Sequence, residues 1–428
     1  MKLPKFIGNN LVLKVTSLNA VVITVRLIIS VFIQRLLAVT VGEAGIASIG
    51  QLRNVIAMLT STSTLGVFNG IVKYVSEHKA NKPELSRLFS TTTVFVTAGS
   101  IISALILYLG SDYLSVKLFQ SIDFSYLFKL LAVIVPFIAF NRCINGLVNG
   151  LSAYKKYATI ELVSYIFASL ILVYGLFFHN LDGVLIAIAL TPIIQLFVLV
   201  VVFGKTVVKY VNFKSLSFNL SYKNSLLAFA LMSFVSTFLL NYIELDIRTL
   251  ITAEINVDEA GYWTAMTFIS KNYMVFATGL FTLYVLPKFA SINTKHAFKA
   301  EVLHIYKTIL PIFGLGMLIV YLFRDLVIQI VYPEFSGMEP LFKWQLMGDF
   351  IRLCALVLAH QFLAKKLVKS FLITEVISLI LFFVLTKLFI QPYGTEGVVI
   401  AHFVRYIVYF IVVILFINRY YNQRIKIE

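Results

Sequence analysis

Long apolar runs separated by short polar connections make up almost the whole chain. The runs predict twelve helices, because each is bounded by charged or turn-forming residues and can cross the roughly 30 Å hydrocarbon core of a bilayer. Their approximate limits are 12–38, 46–72, 88–109, 126–149, 157–178, 183–204, 225–250, 261–287, 304–323, 340–363, 369–389 and 398–418. The connections contain no more than about 20 residues. The pattern therefore predicts an all-α polytopic membrane protein without an extramembrane domain.

The composition supports this class. Of the 428 residues, 60% are hydrophobic and 13% are charged, whereas soluble domains are roughly 45–50% apolar and about 25% charged. A soluble fold has too little interior for this surplus, so the surplus must face lipid. A soluble enzyme, a secreted disulfide scaffold, a disordered chain and a single-pass receptor are excluded. No small-residue cleavage site follows the first apolar run, so we interpret it as a retained span and not as a signal peptide.

The net charge of +16 is divided unevenly between alternate connections. One set, which includes both termini, contains 20 lysines and arginines, whereas the other contains only Lys117 and Arg324 and is rich in acidic residues. The positive-inside rule places the first set in the cytoplasm. Both termini are then cytoplasmic, which requires an even number of spans. Because the cations report orientation, no nucleic-acid partner is implied.

A short repeat divides the chain into halves. Val41-Gly42-Glu43-Ala44-Gly45 recurs as Val257-Asp258-Glu259-Ala260-Gly261 at an offset of 216 residues, and Lys73-Tyr74-Val75-Ser76 resembles Lys288-Phe289-Ala290-Ser291 at an offset of 215. An offset of six helices keeps the same orientation, as in transporters built from parallel repeats. We therefore expect two pseudo-symmetric six-helix lobes, 1–204 and 225–428, joined by a basic cytoplasmic linker at 205–224.

Ionisable residues within spans are functional candidates, because each costs a few kcal/mol or more unless it faces water or a partner. Arg26, Arg53 and Lys271 have no acidic neighbour at helical spacing, and they favour a cation-lined cavity that binds an anionic solute. Arginine suits a phosphate because its planar fork donates two hydrogen bonds at once. The alternative for each cation is a salt bridge to a carboxylate on another helix.

Other charges within spans have simpler interpretations. Asp349 and Arg352 have the spacing of a neutralised structural pair on one helix face. Asp349, Arg352 and Glu375 are also candidates for coupling or gating, because burial favours protonation of a carboxylate. Glu161, like Glu375, lies near the cytoplasmic face, where it can snorkel or cap. Three charges at the outer end of the seventh span are expected to be solvated: Glu244, Asp246 and Arg248.

Polar residues within spans are candidates for contacts with sugars. Asn141, Asn145 and Asn149 recur every four residues, so they share one face of the fourth predicted span. Asn69 is a further candidate. Ordinary interhelical hydrogen bonding is the simpler interpretation for such residues.

Several short motifs occur in a characteristic order along nearly the whole chain. The clearest are Gly66-Val67-Phe68-Asn69-Gly70, Lys73-Tyr74-Val75 and Leu341-Phe342-x-Trp344-Gln345-Leu346-x-Gly348-Asp349. The others are Ala44-Gly45 ahead of Arg53, Tyr284-Val285-Leu286-Pro287, Phe323-Arg324-Asp325, Ala364-Lys365 and Thr374-Glu375-Val376. In their order and spacing they resemble Wzx-type polysaccharide flippases, above all the branch that moves enterobacterial common antigen and O-antigen units.

This resemblance implies two six-helix bundles that work by alternating access, within the multidrug/oligosaccharidyl-lipid/polysaccharide exporter (MOP) superfamily. The implied cargo is an undecaprenyl-diphosphate-linked oligosaccharide, carried from the cytoplasmic to the periplasmic leaflet of the bacterial inner membrane for lipopolysaccharide biosynthesis. A polysaccharide polymerase and a chain-length regulator are the implied partners, and no enzymatic activity is implied. Six charged residues match the family pattern: Arg53, Lys73, Arg324, Asp349, Lys365 and Glu375. Lys365 thereby joins the coupling or gating set, whereas Lys271 and Arg405 depart from the pattern.

Three other functions remain open. A cation-coupled drug exporter of the same superfamily would favour acidic groups in its cavity, whereas the charges at mid-membrane depth are mainly basic. A lipid II flippase usually has two extra C-terminal helices. A membrane polysaccharide polymerase or sugar transferase usually needs a large extracytoplasmic loop. The sequence predicts no metal site or cofactor, since Cys143 and Cys354 lie in separate spans and His360 and His402 are interpreted as packing residues.

Overall fold

The computed structural model describes residues 11–211, 217–218 and 220–425. Within these ranges the chain forms α-helices and no strand, so the all-α membrane fold is confirmed. The helices are α1 (Leu11–Thr62), α2 (Phe68–His78), α3 (Lys82–Leu109), α4 (Ser111–Phe119), α5 (Ser125–Gly150), α6 (Tyr154–Tyr210), α7 (Lys223–Ser233), α8 (Leu240–Glu254), α9 (Val257–Leu280), α10 (Leu286–Ser291), α11 (Lys295–Thr308), α12 (Leu310–Leu322), α13 (Arg324–Val331), α14 (Leu341–Ala364) and α15 (Val368–Ile425).

The three longest helices are interrupted where the sequence predicts connections between spans. α1 breaks at Gly42 (φ 63°), α6 at Asn180 (φ 48°) and α15 at Gly394 (φ 57°). A Cβ on Gly175 would lie 2.5 Å from the carbonyl oxygen of Gly183, although eight residues of a continuous helix span about 12 Å. α6 therefore folds back on itself as a helical hairpin.

Eight helical stretches among the described residues are long and apolar enough to cross a membrane. They are Val22–Thr62, Lys82–Leu109, Ile122–Gly150, Lys155–Tyr210, Lys223–Glu254, Lys295–Leu322, Leu341–Ala364 and Val368–Gln423, three of which contain the breaks described above. The eighth predicted span is helical as α9 but does not belong to this set. Its hydropathy is lowered by Lys271 and Asn272 near its middle.

The order of elements recurs after about half the chain. α3 and α11 begin 213 residues apart, α4 and α13 also 213, α5 and α14 216, and α6 and α15 214. The breaks at Asn180 and Gly394 are likewise 214 residues apart. This spacing agrees with the offsets of the sequence motifs and supports a duplicated plan.

The chain divides by proximity into two compact units. Unit 1 comprises 1–33 and 48–249, and unit 2 comprises 34–47 and 250–428. Within unit 2, Gly261 packs against the backbone of Glu43, which brings together the two copies of the repeated motif. The predicted lobes, with boundaries at 204 and 225, stay a prediction.

Small residues and an apolar surface shape the packing. In unit 1, α2 approaches α5 closely, since a Cβ on Gly146 would lie 2.9 Å from Ile71 and one on Gly150 would lie 2.7 Å from Val75. Such contacts are common between membrane helices. Large apolar side chains such as Leu109 and Phe177 are exposed, which agrees with a surface that faces lipid.

Candidate functional site

Arg26 on α1 forms an ion pair with Glu161 on α6 in unit 1. The Nη1 to Oε2 distance is 2.7 Å, and the side chains are 39% and 20% exposed. The Arg26 guanidinium also lies 4.9 Å from the ring centre of Tyr165. The preferred interpretation of Arg26 as an unpaired cation is therefore wrong, and the alternative of a salt bridge between helices is confirmed. Glu161, expected to snorkel or cap, is the partner.

Arg142 on α5 adds a second cation to this region. Its guanidinium lies 3.6 Å from the ring centre of Phe68, and the charge of Glu161 acts on it. Glu161, Arg142 and Arg26 all lie within electrostatic range of the Tyr157 hydroxyl. We call Arg26, Arg142, Tyr157 and Glu161 the unit 1 cation set. Two guanidinium groups and one carboxylate give it a net charge of +1.

The asparagine stripe is confirmed as one face of α5. Asn145 Nδ2 donates to Asn141 Oδ1 at 3.2 Å, and Asn149 Nδ2 donates to the Asn145 carbonyl at 2.8 Å. Asn141 Nδ2 donates to Gln195 Oε1 on α6 at 2.9 Å. Asn141 is buried and Asn149 is half-buried. Arg142 lies three residues before Asn145 on α5, a spacing that makes the two side chains neighbours on the helix surface and puts the stripe beside the unit 1 cation set.

Arg53 is half-buried in the second half of α1, near residues that hydrogen-bond to α8. Gln51 donates to Thr249 Oγ1 at 2.9 Å and accepts from Arg248 Nη1 at 3.1 Å. Arg248 is only 1% exposed. The prediction of a solvated Arg248 is therefore wrong, because Gln51 gives it a partner inside the protein.

Asp349 on α14 is fully buried in unit 2 and lies among donors from three helices. Ser270 on α9 donates to Oδ2 at 2.5 Å, and Tyr273, also on α9, donates to the same oxygen. Gln345 Nε2 donates to Oδ2 at 3.1 Å. His402 Nε2, on α15, lies 3.1 Å from Oδ1.

Arg352 is the most distant partner of Asp349. Its Nη1 lies 3.9 Å from Asp349 Oδ1, so the predicted pair exists but is one contact among several. We call the six residues the Asp349 cluster: Ser270, Tyr273, Gln345, Asp349, Arg352 and His402. A buried carboxylate with this many donors can keep its charge without water.

Gly348 makes room for the histidine of the Asp349 cluster. A Cβ on Gly348 would lie 2.5 Å from His402 Cδ2, so only glycine lets α14 and α15 approach this closely. The His402 ring also packs edge-on against Phe382 and Tyr406. The prediction of a packing role for His402 is confirmed, and the contact with Asp349 adds to it.

Glu375 and Arg405 lie on the two halves of α15. Tyr409 donates to Glu375 Oε1 at 2.6 Å. Arg405 is buried, its guanidinium lies 4.4 Å from the ring centres of both Phe382 and Tyr406, and its Nη2 donates to the Tyr406 hydroxyl at 2.5 Å. In the described part of the chain, Arg405 Nε and Nη1 have no hydrogen-bond partner.

Lys271, Asn69 and Lys73 are the remaining candidates from the sequence. Lys271 is exposed on α9 in unit 2, whereas Arg26 and Arg53 belong to unit 1, so their joint diphosphate site stays a prediction. Asn69 is exposed in the first turn of α2. Lys73, on the same helix, lies 3.8 Å from Glu77.

Two charged residues that match the family pattern, Lys365 and Arg324, lie at helix ends and form hydrogen bonds with other segments of the chain. At the end of α14, Lys365 Nζ donates to the Ala290 carbonyl at 2.9 Å and to Asn293 Oδ1 at 3.1 Å. At the start of α13, Arg324 Nε donates to Glu339 at 2.6 Å. This hydrogen bond raises the pKa of Arg324.

Comparisons with known proteins agree with this architecture. No protein-family profile matches the chain. Two curated relatives, both named lipid III flippase, come from Escherichia coli (strain K12) and Shigella flexneri. Each is 28% identical over 373 residues, which covers 86% of this chain and 89% of the relative.

Solved structures of transporters share the fold at 14% sequence identity. An inward-facing multidrug resistance MATE family transporter of the MOP superfamily matches with a TM-score of 0.77 over 92% of this chain and 95% of the transporter. The lipid II flippase MurJ, in an inward closed conformation, matches with a TM-score of 0.71 over 93% and 87%. The chain has the fold of MOP-superfamily transporters. With its eight apolar helical stretches it is a multi-pass protein of the bacterial inner membrane.

In this MOP fold, sequence analysis missed Arg142 and the contact between His402 and Asp349. The signal for Arg142 was available, because an arginine within a predicted span and beside a candidate asparagine is a functional candidate by default. The signal for His402 was weaker, since its partner lies 53 residues away.

Proposed function

We propose that this protein is a flippase that moves an undecaprenyl-diphosphate-linked oligosaccharide from the cytoplasmic to the periplasmic leaflet of the inner membrane. The observation that carries the proposal is the similarity to lipid III flippases over 86% of the chain. The MOP fold is compatible with it but is shared with drug exporters, so it does not decide between them.

The unit 1 cation set supports a diphosphate headgroup as part of the cargo. A diphosphate cannot cross hydrocarbon unpaired, because desolvation of such an ion costs tens of kcal/mol. Arg26 and Arg142 outweigh Glu161 by one positive charge, and Arg26 is partly exposed. We propose that this set and Arg53 bind the diphosphate, with Lys271 assisting.

The asparagine stripe supports a sugar-bearing cargo. Amide side chains both donate and accept hydrogen bonds, so they can pair with hydroxyl groups of varied stereochemistry. Asn145 Oδ1 has no hydrogen-bond partner among the described residues, and Asn149 is half-buried. We propose that these atoms contact the oligosaccharide, with Asn69 as a further contact.

The Asp349 cluster is our candidate for coupling. Asp349, Arg352 and Glu375 lie in unit 2 on two packed helices, and Lys365 ends one of them. A change of protonation or of partner at Asp349 would alter contacts between α9, α14 and α15. The cargo would then pass to a polysaccharide polymerase and its chain-length regulator, in O-antigen or enterobacterial common antigen synthesis.

A cation-coupled drug exporter is the second candidate, because MATE transporters share the fold. The net positive charge of the unit 1 cation set argues against a cationic drug as cargo. A membrane polymerase or transferase remains the alternative of another class.

Reconstituted vesicles can test the proposal. Purified protein is incorporated with an undecaprenyl-diphosphate oligosaccharide that carries a fluorescent sugar, and an impermeant quencher reports which leaflet holds the sugar. We expect flipping by the wild type, none by Arg53→Ala and partial flipping by Arg53→Lys, because lysine keeps the charge but loses the planar fork. Arg87→Ala, which removes an exposed arginine paired with Glu84, is the matched control and should flip normally.

Two results would contradict the proposal. Normal flipping by Arg53→Ala at normal protein levels would remove Arg53 from the site. A wild type that leaves the labelled lipid in place but exports a cationic dye would favour the drug exporter.

A further inference from the structure

A cavity of about 370 Å³ lies within unit 2, between one face of α11 and the last turns of α15. The α11 residues that line it recur at helical spacing and include Lys295, Lys299, Val302 and Tyr306. The α15 side contributes Ile414 and Asn418. Its volume falls within the range of small-molecule sites.

The cavity is polar at one end and apolar at the other. Lys295 and Lys299 lie in the first turns of α11, and Tyr306 lies about 10 Å farther along the axis than Lys299. Lys295 Nζ donates to Asn422 Oδ1 at 2.9 Å, which puts the C-terminal end of α15 beside the basic end. The lysines therefore mark the basic end of the cavity, and the apolar residues continue from it along α11 and α15.

The hydroxyl groups of Tyr306 and Tyr421 already have partners inside the protein. The Tyr306 hydroxyl donates to the Cys354 carbonyl at 2.7 Å, and the Tyr421 hydroxyl accepts from Gln361 Nε2 at 2.8 Å. Apart from the two lysines and Asn418, the remaining described lining consists of aliphatic and aromatic side chains, including Leu358. The part of the cavity beyond the lysines therefore favours an apolar occupant, because a polar one would lose most of its hydrogen bonds to water.

We infer that this cavity binds an anionic glycerophospholipid of the cytoplasmic leaflet. The phosphodiester pairs with Lys295 and Lys299, and one acyl chain lies between α11 and α15. Basic pockets between helices on the cytoplasmic side typically bind anionic headgroups, and both lysines belong to the connections that the charge pattern places there. Asn418 is the one amide among the described residues of the lining, so the basic end has few groups for the hydroxyls of an oligosaccharide. This inference does not rest on the proposed flippase function.

Native mass spectrometry of the purified protein tests the headgroup. Phosphatidylglycerol and phosphatidylcholine with the same acyl chains are titrated separately. We expect the wild type to bind phosphatidylglycerol about tenfold more tightly, and the variant Lys295→Gln/Lys299→Gln to lose this preference. Lys307→Gln/Lys369→Gln removes the same charge from exposed positions outside the lining and should keep it. Lys299→Gln alone spares the hydrogen bond to Asn422 and should lose part of the preference, which keeps the test valid if the double variant unfolds.

A second variant tests the acyl chain. Val302→Trp fills the cavity and should weaken binding of phosphatidylglycerol, whereas Leu315→Trp, on the exposed face of α12, should not. Equal affinities for the two lipids in the wild type would overturn the inference, as would an unchanged preference in the lysine variant. Displacement of bound phosphatidylglycerol by a short-chain polyprenyl diphosphate, but not by excess short-chain phosphatidylglycerol, would also overturn it and assign the cavity to a prenyl lipid.

Discussion

The two polar regions within the helices differ in composition and in access to water. The unit 1 cation set has an excess of guanidinium groups, and Arg26 and Glu161 are 39% and 20% exposed. The Asp349 cluster surrounds a carboxylate that is 0% exposed and has donors from three helices. Charged groups that can still form hydrogen bonds and that water can reach are able to exchange their protein partners for a cargo. A buried charge whose hydrogen-bonding capacity is filled holds its helices together, so a change of its partners would also couple the movement of those helices.

Because of this contrast, we expect the loss of a side chain to affect mainly stability in the Asp349 cluster and mainly binding in the unit 1 cation set. When a buried charge with all of its hydrogen bonds is removed, its partners are left buried without hydrogen bonds, which lowers the free energy of unfolding. Removing a partly exposed cation leaves neighbours that water can solvate, so stability changes little and binding changes more. The following variants test this difference.

The largest effect is expected for Asp349→Asn. The amide places N–H groups against donors such as Tyr273 and leaves Arg352 without its carboxylate. We expect the free energy of unfolding to fall by about 3–5 kcal/mol, measured by denaturant titration in micelles. Asp325→Asn, at an exposed position in the first turn of α13, is the control and should lower the free energy of unfolding by no more than about 1 kcal/mol. A stable Asp349→Asn protein that binds cargo but does not turn over would instead support a protonation switch.

Gly348→Ala should have the next largest effect. The added methyl group would lie 2.5 Å from His402 Cδ2 and push the ring away from Asp349. We expect a loss of about 1–3 kcal/mol in the free energy of unfolding. Gly316→Ala on α12, where no atom lies within 4 Å of the new Cβ, should be neutral or stabilising. Equal outcomes for the two variants would contradict the tight contact between α14 and α15.

Arg142→Gln should lower transport more than stability. Losing one of two cations near Glu161 should slow flipping about tenfold, which corresponds to about 1.4 kcal/mol. The vesicle assay measures the rate, and thermal unfolding checks that the protein remains folded. Lys129→Gln removes an exposed cation from the same helix and should flip at the wild-type rate. A rate unchanged in Arg142→Gln would exclude this residue from the cargo site.

The smallest effect is expected for Asn145→Ala. Hydrogen bonds between membrane helices average about 0.6 kcal/mol, so stability should change by about that amount. If the asparagine stripe contacts sugar, the apparent KM for the labelled lipid should rise while the maximal rate stays similar. The same variant assayed with a shorter oligosaccharide should lose less affinity. A KM that is independent of the sugar would assign Asn145 to helix packing alone.

The sequence was sufficient for most of the fold because a bilayer imposes simple rules. Apolar length and loop charge predicted the helices and the connections now seen at Gly42, Asn180 and Gly394. The duplicated order of elements could also be inferred, since the V-x-E-A-G motif marks it.

The partners of charged residues could not be predicted in the same way. Arg26 and Glu161 are 135 residues apart, and no helical spacing links them. Arg248 was misassigned because its partner Gln51 is on another helix, 197 residues away. Such pairs depend on how helices pack, which hydropathy along a single chain does not encode.

The breaks in α1, α6 and α15 have a practical consequence for work on whole cells. Each reverses or interrupts the chain within a few residues, on the face that the charge pattern predicts as periplasmic, so an epitope tag inserted there would disturb the helices on both sides of the break. The connections that contain α4 and α13 are longer, and Gln120 and Glu334 already adopt turn conformations with positive φ. Insertions are best tolerated at such exposed turns. These two positions are therefore the preferred places for a tag, a labelling cysteine or a protease site.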